Sequence, residues 1–160
     1  MIVEGLFAAL RDCADATLVI KAHPYDASDL YTKAIEDAGM SDRVRLVDTP
    51  PHELFQEASV VITEDTTAGM EAMFDGKIIV HAHFAPTDPT VDYVGYGAAL
   101  AGRSQEQLRE SLRNVAQLSR PERDDMHRGQ IRFLHDHAGP CDGNAADRVR
   151  SFILKGLGAG

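Results

Sequence analysis

Three short stretches hold the side chains that could do chemistry. "IKAHP" supplies Lys21, His23 and Pro24 at the end of an apolar run; "TEDTTAGMEAM" supplies Glu64, Asp65, Thr66, Thr67 and Glu71; "HAHFAP" supplies His81 and His83. In the second stretch two hydroxyl residues open a helical segment directly after a buried strand. Free backbone N–H groups and the positive dipole end attract phosphate at such a point, and threonine hydroxyls add side-chain donors. Glu71 lies one helical turn beyond Thr67 on a similar face, where a carboxylate could accept the two hydroxyls of a ribose. A plainer role is open to the same residues, with Asp65 or Thr66 capping the helix and Glu71 solvated. His81 and His83 stand two apart and so share one face of a strand; with His23 they could make a metal site of three imidazoles. In the sequence no carboxylate or cysteine is spaced to complete that site.

The elements that must position these residues follow from periodicity. Ile2, Leu6, Ala9, Leu10 and Cys13 recur at helical spacing, and "ATLVIKA" (16–22) is a short β-branched run of the kind buried on both faces. "DASDLYTKAIEDAGM" puts Leu30, Ala34, Ile35 and Ala38 on one helical face, with Asp26 or Ser28 as cap and Gly39 as stop. "RVRLVD" (43–48) reads as a strand, "PHELFQEA" as a short helix opened by proline, and "SVVIT" (59–63) as a strand without alternation. "TTAGMEAMFDG" (66–76) reads as a helix closed by Gly76, followed by the strand "KIIVHA" (77–82). A loop over 85–97, a weak strand near "GAALAG", and helices at 104–118, about 121–136 and about 143–155 complete the chain. Strands alternating with helices predict an α/β fold, a Rossmann-like parallel sheet covered by helices on both faces. Ligands of such sheets collect outside the carboxyl ends of the strands, which is where all three stretches fall.

Composition bounds the partners. The 160 residues are 44% hydrophobic and 26% charged, enough for one domain with a buried core, 1–160. A formal charge of −9 argues against nucleic acid or anionic membrane surfaces as partners. Residues 1–102 carry 6 Lys/Arg against 17 Asp/Glu, net −11, whereas 103–160 carry 10 against 8, net +2. An anion site in the first part must therefore rely on amides and hydroxyls. Cys13 and Cys141 have no metal-type or redox-motif spacing and read as reduced thiols. The N-terminus lacks a basic region and holds Glu4 and Asp12, unlike a signal peptide, and no long apolar run occurs; a cytoplasmic location is expected. Without a GK[ST] ending, a GxGxxG or a GxSxG turn, the ATPase, dehydrogenase and hydrolase readings fall away. His52, His127, His135 and His137 sit in polar stretches and are expected at the surface. Leu108, Leu112, Val115 and Leu118 are expected in the core.

In order along the chain, "IKAHP", "VVITEDTTAGMEAMFDGKIIV" and "GPCDGNAADRVRSFI" resemble the C-terminal, donor-binding half of GT-B glycosyltransferases of the capsule and surface polysaccharide type. Relatives of that type include CDP-glycerol glycerophosphotransferases and, more distantly, UDP-N-acetylglucosamine 2-epimerases. The resemblance covers most of residues 17–155. It implies that His23, with Pro24, contacts the donor's phosphate region and acts in catalysis by stabilising the leaving phosphate. It implies further that Thr66 and Thr67 hold the diphosphate and Glu71 the ribose. Asp142, Gly143 and Arg148 match a "DG…R" element with a mainly structural role. The implied donor is a nucleotide-activated sugar or CDP-glycerol, the acceptor a growing polysaccharide, and no metal is required. In the full protein a peripheral position at the inner face of the membrane is expected.

Two departures qualify that picture. Asp65 stands beside the phosphate clamp, where a carboxylate repels the ligand. The chain opens on a helix where a strand is expected, as if the first strand and an N-terminal acceptor domain were missing, so turnover by this chain alone is not expected. Two alternatives stand beside the donor-binding reading. One is a non-catalytic nucleotide-binding or interaction module, capable of self-association, with an exposed apolar face of Ile2, Leu6 and Leu10 where a missing element packed. The other is a 2-epimerase-like domain.

Overall fold

The apolar runs form parallel strands and the intervening periodic segments form the helices that cover them. The structure, a computed structural model, describes residues 2–23 and 25–158. Helix α1 (Ile2–Asp12) is followed by β1 (Leu18–Lys21), α2 (Ser28–Asp37), β2 (Val44–Val47), α3 (Pro51–Glu57), β3 (Val60–Thr63), α4 (Ala68–Phe74), β4 (Ile78–Ala82) and β5 (Leu100–Gly102). Three helices close the chain: α5 (Gln105–Val115), α6 (Arg120–Ala138) and α7 (Ala145–Gly156). Strands β1 and β2 pair in parallel, Leu18 opposite Val44. A second parallel group runs in the order β3-β4-β5, with Thr63 opposite His81 and Ala82 opposite Gly102.

Both faces of β4 are covered, which is why its sequence runs apolar without alternation. Ile79 packs on one side with Phe55, Met73, Tyr93 and Phe133. Val80 packs on the other with Leu108 and Val115, and partly buried Leu112 lies against them. The periodic leucines of α5 thus serve the core, as their spacing implies. Because side chains alternate, His81 returns to the Ile79 side, where its ring meets Tyr93 edge-on at 5.2 Å.

Helix α1 corrects an expectation. Its apolar residues are no exposed scar: Phe7 and Leu10 are buried with Ile35, Met40 and Val44 beside the β1–β2 pair, while Ile2 and Leu6 pack against the cluster around Val80 and Leu108. The helix joins the two strand groups, and Asp12 fastens it to α5 by ion pairs with Arg109 (2.5 Å) and Arg113 (2.8 Å). An exposed apolar face belongs instead to α7, where Phe152 is 80% and Val149 58% exposed. Asp142 and Arg148 pair at 2.7 Å, and Arg148 also donates to the Pro140 carbonyl, so the "DG…R" element holds its own turn at the start of α7.

Helix α6 crosses the backbone at 96–97. Gly129 permits this, since a Cβ there would stand 2.5 Å from the Gly97 carbonyl oxygen. Next to it the buried Gln130 amide donates to the carbonyls of Lys77 (2.9 Å) and Ala98 (3.3 Å). Within the segment 85–97 Tyr93 is fully buried, with Val91 and Tyr96 packed against the same core cluster, while residues 85–88 stay exposed. Among the described residues no helix is long and apolar enough to cross a membrane.

Candidate functional site

The turn after β3 is the most heavily fastened loop at the carboxyl ends of the strands. Tyr93 donates its hydroxyl to the Thr66 carbonyl at 2.7 Å, fixing the turn from below. Thr66 braces the turn ahead of the helix: its hydroxyl accepts from the Ala68 amide (3.2 Å) and bonds the buried Thr63 hydroxyl (3.0 Å), while the N-cap itself is Thr67, whose side chain makes no cap bond. Helix α4 accordingly begins at Ala68, two residues later than its sequence suggests. The Thr67 hydroxyl has no partner among the described residues and is exposed, as is Glu71, so these two remain available to a ligand.

Asp65 ties this turn to β4 and to the loop beyond it. One carboxylate oxygen lies 3.0 Å from His81 Nε2; the other accepts the Thr90 amide at 2.9 Å and faces His83 Nδ1 at 3.4 Å. His83 Nε2 donates in turn to the Thr87 carbonyl at 2.8 Å. Burial works against the charged form of Asp65, but the Thr90 amide and the two histidines outweigh it and hold its pKa below the ordinary carboxylate value. The neighbouring Glu64 goes the other way: burial first, then the carboxylates of Asp26 and Asp65, raise its pKa. That Asp26 acts on Glu64 at all means that the loop after β1 lies within electrostatic reach of the turn after β3.

His23 sits in that first loop, exposed. Its Nδ1 accepts from the Tyr25 amide at 3.3 Å, which leaves the proton on Nε2 and that group free to donate outward. The backbone amide of His23 donates to Asp26, whose carboxylate also accepts the Tyr31 hydroxyl at 2.9 Å. Asp26 thus organises the β1–α2 turn and does not cap α2, whose N-cap is Ala27. Lys21 is spent on Asp48 at 2.7 Å. Pro24 lies outside the described residues.

Of the residues singled out in the sequence, Thr66, Thr67 and Glu71 share the start of α4, and His23 lies in the loop after β1, bonded to Asp26 and Tyr25. His23 does not join His81 and His83; the third member of that cluster is Asp65, with ligand atoms of all three within 4.8 Å of one another. Sequence reasoning found the His-x-His spacing but not its carboxylate, which arrives from another strand end. It also missed Tyr93, which nothing in a loop composition of Pro, Asp and Gly marks as core. His52, His127, His135 and His137 are exposed as expected, although His137 stacks on Phe133 at 4.2 Å.

Together, the parallel strands, the helices on both faces and the polar strand ends define a Rossmann-like domain of the GT-B type. Comparison with solved structures supports that fold. A protein described as a UDP-N-acetylglucosamine 2-epimerase from Listeria monocytogenes superposes with a TM-score of 0.66 at 18% identity, over 98% of this chain and 40% of that one. The chain therefore spans about two fifths of the length of that structure. No curated protein matches it in sequence. Residues 4–85 match the family described as "Capsule polysaccharide biosynthesis protein", and the chain belongs to that family.

Proposed function

We propose that this chain is a donor-binding domain, holding the diphosphate of a nucleotide-activated sugar or CDP-glycerol for transfer to a surface polysaccharide. The observation that carries the reading is that the family match, residues 4–85, contains both segments, His23 after β1 and Thr66, Thr67 and Glu71 around the start of α4. In this assignment Thr67 donates its free hydroxyl to the diphosphate, and Thr66 shapes the turn that presents it. His23 donates through Nε2 to the phosphate oxygens, where charge grows as the glycosyl or phosphoglyceryl group departs. Glu71 accepts the ribose hydroxyls. An acceptor polysaccharide would be engaged by a further domain, and transfer would need both.

The test is a calorimetric titration of wild type, His23→Ala and Thr67→Ala with CDP and UDP in EDTA. Hydrogen bonds to a charged partner contribute about 1.5–3 kcal/mol, so each variant is expected to bind roughly 10- to 100-fold more weakly while melting like wild type. Equal affinity in all three proteins would overturn the assignment of these residues.

A further inference from the structure

We propose that Asp65, His81 and His83 form a binding site for a divalent cation of the zinc class, seated beside the Thr66-Thr67 turn. The hydrogen bonding of His83 points to it. The Thr87 carbonyl can only accept, so His83 Nε2, 2.8 Å away, carries the ring proton. Nδ1 then faces an Asp65 oxygen 3.4 Å away, an oxygen already accepting from the Thr90 amide. Either a second ring proton or a metal ion would supply the positive centre that joins these two groups. A second imidazole, His81 Nε2, meets the other oxygen of the same carboxylate at 3.0 Å, which makes a shared metal ion a better centre than a single proton.

The dimensions and surroundings suit such an ion. Tetrahedral zinc with bonds near 2.0–2.1 Å holds adjacent ligand atoms about 3.3 Å apart; His81 and His83 stand 3.0 and 3.4 Å from the two oxygens of the Asp65 carboxylate, and the ligand atoms of the three residues lie within 4.8 Å of one another, so that a small side-chain shift closes the set. The bond from His83 Nε2–H to a backbone carbonyl is the support that zinc-bound histidines ordinarily have, fixing tautomer and ring orientation. His81 is 2% exposed and locked against Tyr93, whereas Asp65 is 25% exposed, so the site has a rigid floor and an open side for a water or a phosphate oxygen. Resemblance to metal-independent transferases gives no reason to look for this site, and the third ligand is the residue whose charge argues against anion binding in the sequence. With a cation on Asp65 that repulsion is reversed. The ion's role toward a diphosphate rests on the donor-binding reading; its presence does not.

The experiment uses the purified chain, stripped of metal and titrated with Zn2+ against a chromophoric chelator in the absence of nucleotide. Wild type is expected to take up a single tightly bound equivalent. His83→Ala and Asp65→Asn should each weaken that binding by at least about 100-fold, and His127→Ala, a change at an exposed histidine on α6, should leave it unchanged. Circular dichroism of each variant verifies the fold, and Asp65→Asn, nearly isosteric, carries the test if His83→Ala unfolds. Absence of a saturable site in wild type, or wild-type affinity in both folded variants, overturns the proposal. Because nucleotide binding is measured separately in EDTA, either reading can fail alone.

Discussion

Two strand ends carry histidines, and they are built in opposite ways. His23, after β1, is exposed and positioned by backbone contacts, Tyr25 N–H to its ring and its own amide to Asp26. His81 and His83, on and just after β4, are held by side chains, with Asp65 between them and Tyr93 beneath. The first arrangement costs the fold little and leaves a donor facing solvent, as suits a group that meets a ligand. The second is part of the core's edge and cannot be changed without disturbing the turn that presents Thr67.

That contrast can be broken by stability measurements, the largest effect first. Tyr93→Ala removes the fully buried ring that supports both His81 and the Thr66 carbonyl; a loss of about 3–5 kcal/mol is expected in urea unfolding. Asp65→Ala, measured in EDTA, leaves the buried His81 and the Thr90 amide without their partner and should cost about 1–3 kcal/mol. His23→Ala should stay within about 0.5 kcal/mol of wild type, although it is the residue named for ligand contact. Equal costs for Asp65→Ala and His23→Ala would erase the distinction between the two ends.

The smallest effect is a control away from both ends. Hydrogen bonding to Arg109, with burial opposing it and the charges of Arg109 and Arg113 adding to it, holds the Asp12 carboxyl down to about 2 from its ordinary 3.8. A depressed carboxyl stabilises the fold above its unfolded pKa, and that contribution is lost as pH falls from 3.8 toward about 2. Asp12→Asn should therefore lower the melting temperature slightly at neutral pH and narrow its gap to wild type on acidification through that range.

The same contrast separates what could be read in the sequence from what could not. Every strand and helix was legible from periodicity, because β3 and β4 are buried on both faces and the helices carry regular apolar stripes. The existence of α4 and the hydroxyl pair ahead of it were legible too, although the helix starts two residues later than its sequence suggests because Thr66 is held in the turn. Asp65 was visible only as a charge beside Thr66. Its bonds to His81 and Thr90 cross to another strand and to a loop, and no spacing rule reports such partners. Tyr93 was hidden for the same reason: its burial depends on α6 and α4 closing over segment 85–97, where composition alone predicts solvent. The interaction-module alternative leaves Ile2 and Leu6 exposed because nothing nearby in sequence covers them; their cover, α5, lies roughly a hundred residues away in the chain.

The measurement that bears most directly on the central claim is calorimetric titration of the folded wild-type chain with CDP, CMP, UDP, UMP, ADP and GDP in EDTA. The account predicts saturable binding of a pyrimidine nucleoside diphosphate, tighter than its monophosphate because Thr67 and His23 address the diphosphate. Silence toward all six from a folded sample, or equal affinity for the mono- and diphosphates, would contradict it.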